Sequence, residues 1–204
     1  VDDGYGVMIA GIGGTGVVTM GAILGMAAHL EGKSCSAYDM TGLSQKNGAV
    51  YSHLKFADQP DDIGSPRLGP GDADLVIGLD LVAAMGEEAI RTAAADHTRI
   101  IGNSSVAPTA AFQLDPSHTV DDSLLVQLIR DRVGDERADF VDATGLALAL
   151  IGDTIGVNLF VVGYAAQKGL LPVAIDSIKK AVELNGAAVE MNLRALNLGR
   201  LHAR

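Results

Sequence analysis

The chain has 204 residues, 48% of them hydrophobic and 20% charged, which suits one sizeable α/β core and argues against wholesale disorder. Its 25 acidic against 15 basic residues give a net charge of −10, which argues against nucleic acid as a partner. A single cysteine, Cys35, excludes an internal disulfide and any all-cysteine iron–sulfur cluster held by this chain alone.

The first apolar run, Val7 to Ile12, enters a turn carrying Gly11, Gly13, Gly14 and Gly16, and a Gly/Ala/Leu/Met stretch leaves it. That order predicts a buried parallel strand over 7–12 handing over to a helix over 14–30, with Gly32 as its terminator. No basic segment precedes this run, and no apolar run reaches the roughly 18 residues needed to span a bilayer. The expectation is a cytoplasmic protein with no membrane partner.

Ser34 to Asp39 reads as a second strand, Met40 to Gly48 as a polar loop, and Ala49 to Phe56 as a third strand by its alternation. Asp58 to Asp72, with Pro60, Pro66 and Pro70, reads as an exposed connection. Asp74 to Asp80 is a buried strand, Glu87 to Ala95 a helix with acids in its first turn, and Arg99 to Asn103 the next strand. Ser104 to Thr119 reads as a loop with a possible short strand at Ala111 to Leu114. Val120 to Arg132 is an amphipathic helix opened by Asp121, Asp122 and Ser123, and Asp139 to Ala143 the last strand.

Beyond residue 145 only helical patterns follow: Ala147 to Leu150, Asn158 to Lys168, Val173 to Leu184 and Ala187 to Leu198, with Gly169 and Pro172 as punctuation. Strands alternating with helices and then a helical tail imply an α/β fold: a Rossmann-like, mostly parallel sheet with helices on both faces and a helical C-terminal segment. The chain opens at Val1 and stops at Arg204 without a breaker. We expect one unit over 1–204, its core over about 1–145 and its tail over about 146–204, cut from a larger chain or complex.

Gly11-x-Gly13-x-x-Gly16 between strand and helix fits a dinucleotide fingerprint, and Asp39 lies 23 residues beyond Gly16, where a ribose-binding acid would sit. Taken alone, this points to an autonomous NAD- or FAD-binding oxidoreductase domain. A P-loop is excluded, since no Lys-Ser or Lys-Thr closes the turn. A third reading makes the turn purely structural, a glycine seam that lets the first helix pack closely. Thr41, Ser44, Gln45, Lys46 and Asn47 place hydroxyl, amide and ammonium groups near the turn, fit to hold a phosphate, a carboxylate or a partner domain. Catalytic machinery is not recognisable: no nucleophile elbow is present, and His29, His53, His97, His118 and His202 lie at no metal-ligand spacing. His53 and Lys55 share a strand face, where a lone histidine is more often structural.

Gly11-Ile12-Gly13-Gly14-Thr15-Gly16-Val17-Val18-Thr19-Met20-Gly21-Ala22-Ile23-Leu24 resembles the opening of the gamma domain of 2-oxoacid:ferredoxin oxidoreductases. Asp39 through Leu54, including Ser44-Gln45-Lys46-Asn47-Gly48, looks like that family's second signature, closest to the single-chain bacterial indolepyruvate ferredoxin oxidoreductases. Asn158 to Gly163, the Gly169-Leu170-Leu171-Pro172 break and Asn192 to Gly199 follow in the family's order, so the resemblance spans nearly the whole chain. It implies part of an enzyme that decarboxylates a 2-oxoacid on thiamine diphosphate, sends electrons through iron–sulfur clusters to ferredoxin and passes the acyl group to coenzyme A.

The thiamine and the clusters are then expected in partner domains or subunits, with no catalytic residue and no metal ligand in this chain. Coenzyme A is the ligand this domain could touch. Carried over by position, the binding residues are Gly11, Gly13, Gly14, Thr15, Gly16, Ser44, Gln45, Lys46, Asn47 and Gly48. The second signature usually reads a basic residue and two glycines. Here Asn47 stands in the first glycine position, and asparagine tolerates positive φ better than most residues.

Overall fold

The computed structural model describes residues 4–41, 48–105 and 122–204. Ser44, Gln45, Lys46, Asn47 and the possible strand at 111–114 lie outside the described residues. Strand β1 (Tyr5–Ile12) leads through the glycine turn into α1 (Val17–Leu30). Then come β2 (Ser34–Thr41), β3 (Ala49–Ala57) and β4 (Leu75–Gly78), the last followed by two single-turn helices, α2 (Leu81–Ala84) and α3 (Glu87–Ile90). After β5 (Arg99–Asn103), helix α4 (Asp122–Val133) and β6 (Ala138–Val141), the chain is helical: α5 (Ala143–Leu150), α6 (Val157–Gln167), α7 (Ile175–Asn185) and α8 (Val189–His202).

The six strands form one sheet in the order β2-β3-β1-β4-β5-β6. From β1 to β6 the pairings are parallel, while β3 runs antiparallel to both β1 and β2. The sheet is thus mostly parallel, as its sequence implies, with an antiparallel edge on the β2–β3 side. The β2 ladder extends to Met40↔Tyr51 and Thr41↔Val50, so the first two residues of the expected loop are strand.

Alternation along β1 divides the core. Val7 and Ile9 face α1, α6, α7 and α8 with Leu54, Phe56, Leu75 and Ile77, whereas Met8 and Ala10 face α2, α3 and α4 with Val76, Ile100, Leu81 and Ile129. Helices therefore cover both faces. Helix α1 stops in a left-handed residue, Gly32 at φ 72°, and the Lys33 N–H reaches back to the Ala28 carbonyl, a Schellman-type ending. Gly169 closes α6 the same way, with the Leu170 N–H on the Ala165 carbonyl.

Helix α3 is shorter than its sequence implies. The Gly71 N–H takes the Arg91 carbonyl at 3.0 Å and the Ala73 N–H takes the Thr92 carbonyl at 2.9 Å, so the acceptors that would continue the helix serve the neighbouring segment instead.

Candidate functional site

A cleft of about 580 Å³ opens outside the carboxyl ends of β1, β4 and β5, where open α/β sheets bind ligands. The glycine turn forms one wall through Gly14, Thr15 and Gly16. Leu79, Asp80, Asn103 and Thr144 close the sheet edge, and Asn158, Asn185 and Asn192 come from the helical tail. No Lys or Arg lines it among the described residues.

The four glycines of the turn divide into two pairs. A Cβ on Gly11 would meet Thr15 Oγ1 at 2.5 Å and Val17 Cγ2 at 2.8 Å, and one on Gly16 would meet Asn158 Nδ2 at 2.5 Å. These two glycines make room for the protein itself. A Cβ on Gly14 would have nothing within 4 Å, and one on Gly13 only the Gly48 carbonyl oxygen at 4.0 Å. The turn therefore offers its exposed backbone at 13–14 and packs at 11 and 16. Thr15 Oγ1 donates to the Ile12 carbonyl at 2.7 Å, which holds the turn shut.

The Gly13 N–H donates to the Gly48 carbonyl at 3.1 Å, so the end of the second sequence signature docks directly on the first. This brings Gly48 together with Gly11, Gly13, Gly14, Thr15 and Gly16. Asp39 is not brought to them: β3 lies between β2 and β1, and Asp39 is exposed opposite Ser52 on the far side of that strand. The spacing along the chain matched a ribose-binding acid, but strand order is not encoded in that spacing.

Two polar residues that sequence reasoning passed over organise the sheet edge. Asp80, buried, ends β4 and caps α2, its Oδ1 accepting from the Ala83 N–H at 2.9 Å. Asn103 braces three elements: its Nδ2 donates to the Leu79 carbonyl (3.1 Å) and Thr144 Oγ1 (2.9 Å), and its Oδ1 accepts from the Ala143 N–H (3.1 Å). An asparagine at the end of a parallel strand was the available signal, since a side-chain amide both donates and accepts across such a gap.

Elsewhere the reactive groups are quiet. Burial pushes the Cys35 thiol up to about 11, so it stays a thiol at neutral pH and is no nucleophile. His53 is buried in β3, its Nδ1 accepting from the Leu68 N–H at 3.2 Å, and burial lowers its pKa. Among the described residues, no group of three or more His, Cys, Asp or Glu is placed to hold a metal ion. No described helix is long and apolar enough to cross a membrane.

The family model "Pyruvate ferredoxin/flavodoxin oxidoreductase" matches residues 6–201. The chain belongs to that family. It is 25% identical over 199 residues to the indolepyruvate oxidoreductase subunit IorB of Pyrococcus horikoshii, covering 96% of this chain and 94% of that one. To the pyruvate synthase subunit PorC of Methanocaldococcus jannaschii it is 28% identical over 188 residues, covering 91% and 89%.

The fold agrees with the gamma subunit of a keto/oxoacid ferredoxin oxidoreductase from Geobacter sulfurreducens, at TM-score 0.67 and 20% identity over 98% of both chains. It also matches 31% of a longer chain at TM-score 0.72 and 13% identity. That chain is the 2-oxoglutarate:ferredoxin oxidoreductase from Magnetococcus marinus, solved with 2-oxoglutarate, coenzyme A and succinyl-CoA bound. The chain is a gamma-type component of a 2-oxoacid:ferredoxin oxidoreductase.

Proposed function

We propose that this chain is the gamma unit of an indolepyruvate-type oxidoreductase, and that its cleft receives part of coenzyme A. The observation that carries this is the cleft at the sheet's carboxyl edge, where Gly13 and Gly14 present bare backbone beside an uncapped helix start. The full reaction takes a 2-oxoacid, coenzyme A and two oxidised ferredoxins to acyl-CoA, carbon dioxide, two reduced ferredoxins and a proton. Thiamine diphosphate supplies the carbanion chemistry, and iron–sulfur clusters carry the electrons. The residues here do not fit a cluster: one cysteine cannot ligate one, and it is a half-buried, protonated thiol. Both are assigned to partner subunits.

The tail supports an assembled role. Leu148 and Leu150 of α5, Ile155, Leu184 of α7 and Leu201 of α8 are large apolar residues left exposed, as surfaces for partner subunits are. The expected compartment is the cytoplasm.

Reconstitution tests the proposal. The chain is combined with its thiamine- and cluster-carrying partners, and viologen reduction is followed with indolepyruvate and coenzyme A. Activity that requires both substrates and disappears when this chain is left out supports the reading. Full activity without the chain overturns it.

A further inference from the structure

Strand β2 is the outermost strand on the β3 side of the sheet. Its register with β3 runs unbroken from Ser34↔Ala57 to Thr41↔Val50, and it carries no bulge, no proline and no lysine. Proteins ordinarily blunt an open edge of that length with one of these devices. The Gly13 N–H bond to the Gly48 carbonyl continues the β1–β3 register and fixes its hydrogen-bonding phase. Even-numbered residues of β3 therefore bond to β1 and odd-numbered ones to β2. Across β2 this leaves Cys35, Ala37, Asp39 and Thr41 with N–H and C=O groups pointing away from the sheet.

The surface beside that edge is apolar. Helix α1 lies over β2, where a Cβ on Gly25 would meet Cys35 Sγ at 3.8 Å. His29 is the only ionisable side chain in the 14 residues of α1, a composition suited to a helix covered on every side. Yet Val18, Ala22, Met26 and His29, spaced as neighbours on the flank that adjoins Gly25, are exposed.

Shape and charge change along the strand. Ser34 to Ser36 are half-buried, on the floor of a groove of about 410 Å³ between α1 and the turn at Pro60 and Ile63. Ala37 to Asp39 stand exposed. The groove carries His29 and Lys33, while Asp39 is the only charged residue of the strand. Lys33 Nζ donates to Glu31 at 2.8 Å and to the Pro172 carbonyl at 2.6 Å, and an ammonium has a third N–H to give.

We propose that β2 pairs antiparallel with β2 of a second copy about a two-fold axis at Ala37, joining the two sheets into one. Residues 34–40 of each strand are then in register, with Cys35 opposite Asp39 of the second copy. The outward N–H and C=O groups meet their counterparts, and the exposed half of each strand enters the groove of the other. Each Asp39 comes to the His29 and Lys33 of the facing groove, and the apolar flanks of α1 lie side by side. A second copy fits better than an unrelated strand because this edge complements itself in both shape and charge. An edge about 26 Å long and a helix flank about 21 Å long, each roughly 10 Å across, offer roughly 1,000 Å² between two copies, the size a specific pair needs. This interface is independent of the ligand cleft.

Sedimentation equilibrium of the full chain over a concentration series tests the pairing, with amide hydrogen exchange followed alongside. The expected result is a dimer whose formation slows exchange at the Cys35, Ala37 and Asp39 amides. Ala37→Pro removes no bond to β3, since that N–H points outward, and should give a folded monomer by circular dichroism. Asp39→Lys should weaken dimerisation roughly tenfold by setting like charges together. A hydrogen-bonded antiparallel pair holds its Cα atoms about 5.5 Å apart, within disulfide reach. Mild oxidation should therefore cross-link Cys35→Ser/Ala37→Cys and leave Cys35→Ser/Leu201→Cys, altered on α8, uncross-linked.

A chain that is monomeric at every concentration overturns the proposal, as does a dimer that neither Ala37→Pro nor Asp39→Lys weakens. Cross-linking through position 201 instead of 37 overturns it too. Protection of the 35–39 amides by the thiamine-carrying partner subunits, and not by concentration, gives the edge to another occupant and overturns it as well. Where Ala37→Pro fails to fold, the cysteine pair and the exchange rates still decide.

Discussion

Burial, more than any neighbouring charge, disfavours the protonated form of His53. Its Nδ1 accepts a backbone N–H, so the proton sits on Nε2, 3.1 Å from Glu88 Oε1 but poorly aligned for a hydrogen bond. Burial lowers the imidazole pKa, and although Glu88 opposes that, Arg67 and Arg91 reinforce it. Burial would raise the pKa of Glu88, but hydrogen bonds from Arg67 and Arg91 outweigh it and hold the carboxyl low. A lowered histidine pKa means that the unfolded chain, titrating near pH 6.5, takes up a proton the fold refuses. The stability is present above that value and lost as pH falls below it. Denaturation at pH 7.5 and 5.5 should show a larger loss in the unmutated chain than in His53→Asn. Equal losses would mean that His53 does not carry the dependence. The Glu88 shift has the same sign but acts lower, below the ordinary carboxyl range.

Asn103 makes a sharper stability prediction. Asn103→Ala strands the Leu79 carbonyl and the Ala143 N–H in the sheet edge, an expected cost of about 2 kcal/mol in denaturant unfolding. A loss under a few tenths would show that water replaces the amide freely.

Among the elements, α6 and α8 cross with their backbones in contact. A Cβ on Gly163 would run into the Leu196 carbonyl oxygen, and one on Gly199 into the Phe160 carbonyl oxygen. Backbone cannot yield as a flexible side chain can, so Gly163→Ala and Gly199→Ala should each cost about 3 kcal/mol despite alanine's better helix propensity. The double variant should lose less than the sum, because the first methyl already forces the helices apart. Additive losses would place the two contacts in independent environments.

These helices were legible in the sequence, since their apolar spacing and glycine punctuation are local signals. Helix α2 was not: Leu81 to Ala84 continues the apolar run of β4, and nothing but the cap at Asp80 marks the break. Likewise the shortened α3 follows from carbonyls claimed by residues 71 and 73, a tertiary effect invisible in a window of sequence.

For the whole molecule, strand order separates the rival readings of the glycine turn. A dinucleotide fold needs its second strand beside the first, so that an acid at its end reaches the ribose. Here β3 holds that place, antiparallel, and Asp39 is carried one strand further out. The sequence showed which residues form the turn and that its two signatures belong together. It did not show that Gly16 yields its space to Asn158, because that partner lies 142 positions away and is recognised only once α6 packs on α1. Calorimetric titration with NADH and with FAD should therefore give no heat of specific binding, and Asp39→Ala should leave coenzyme A affinity within twofold of the unmutated chain. NADH binding that Asp39→Ala abolished would restore the dinucleotide fingerprint. It would also require β2 to reach the cleft from beyond β3, a distance that two inter-strand spacings, roughly 10 Å, do not allow without rearranging the sheet edge.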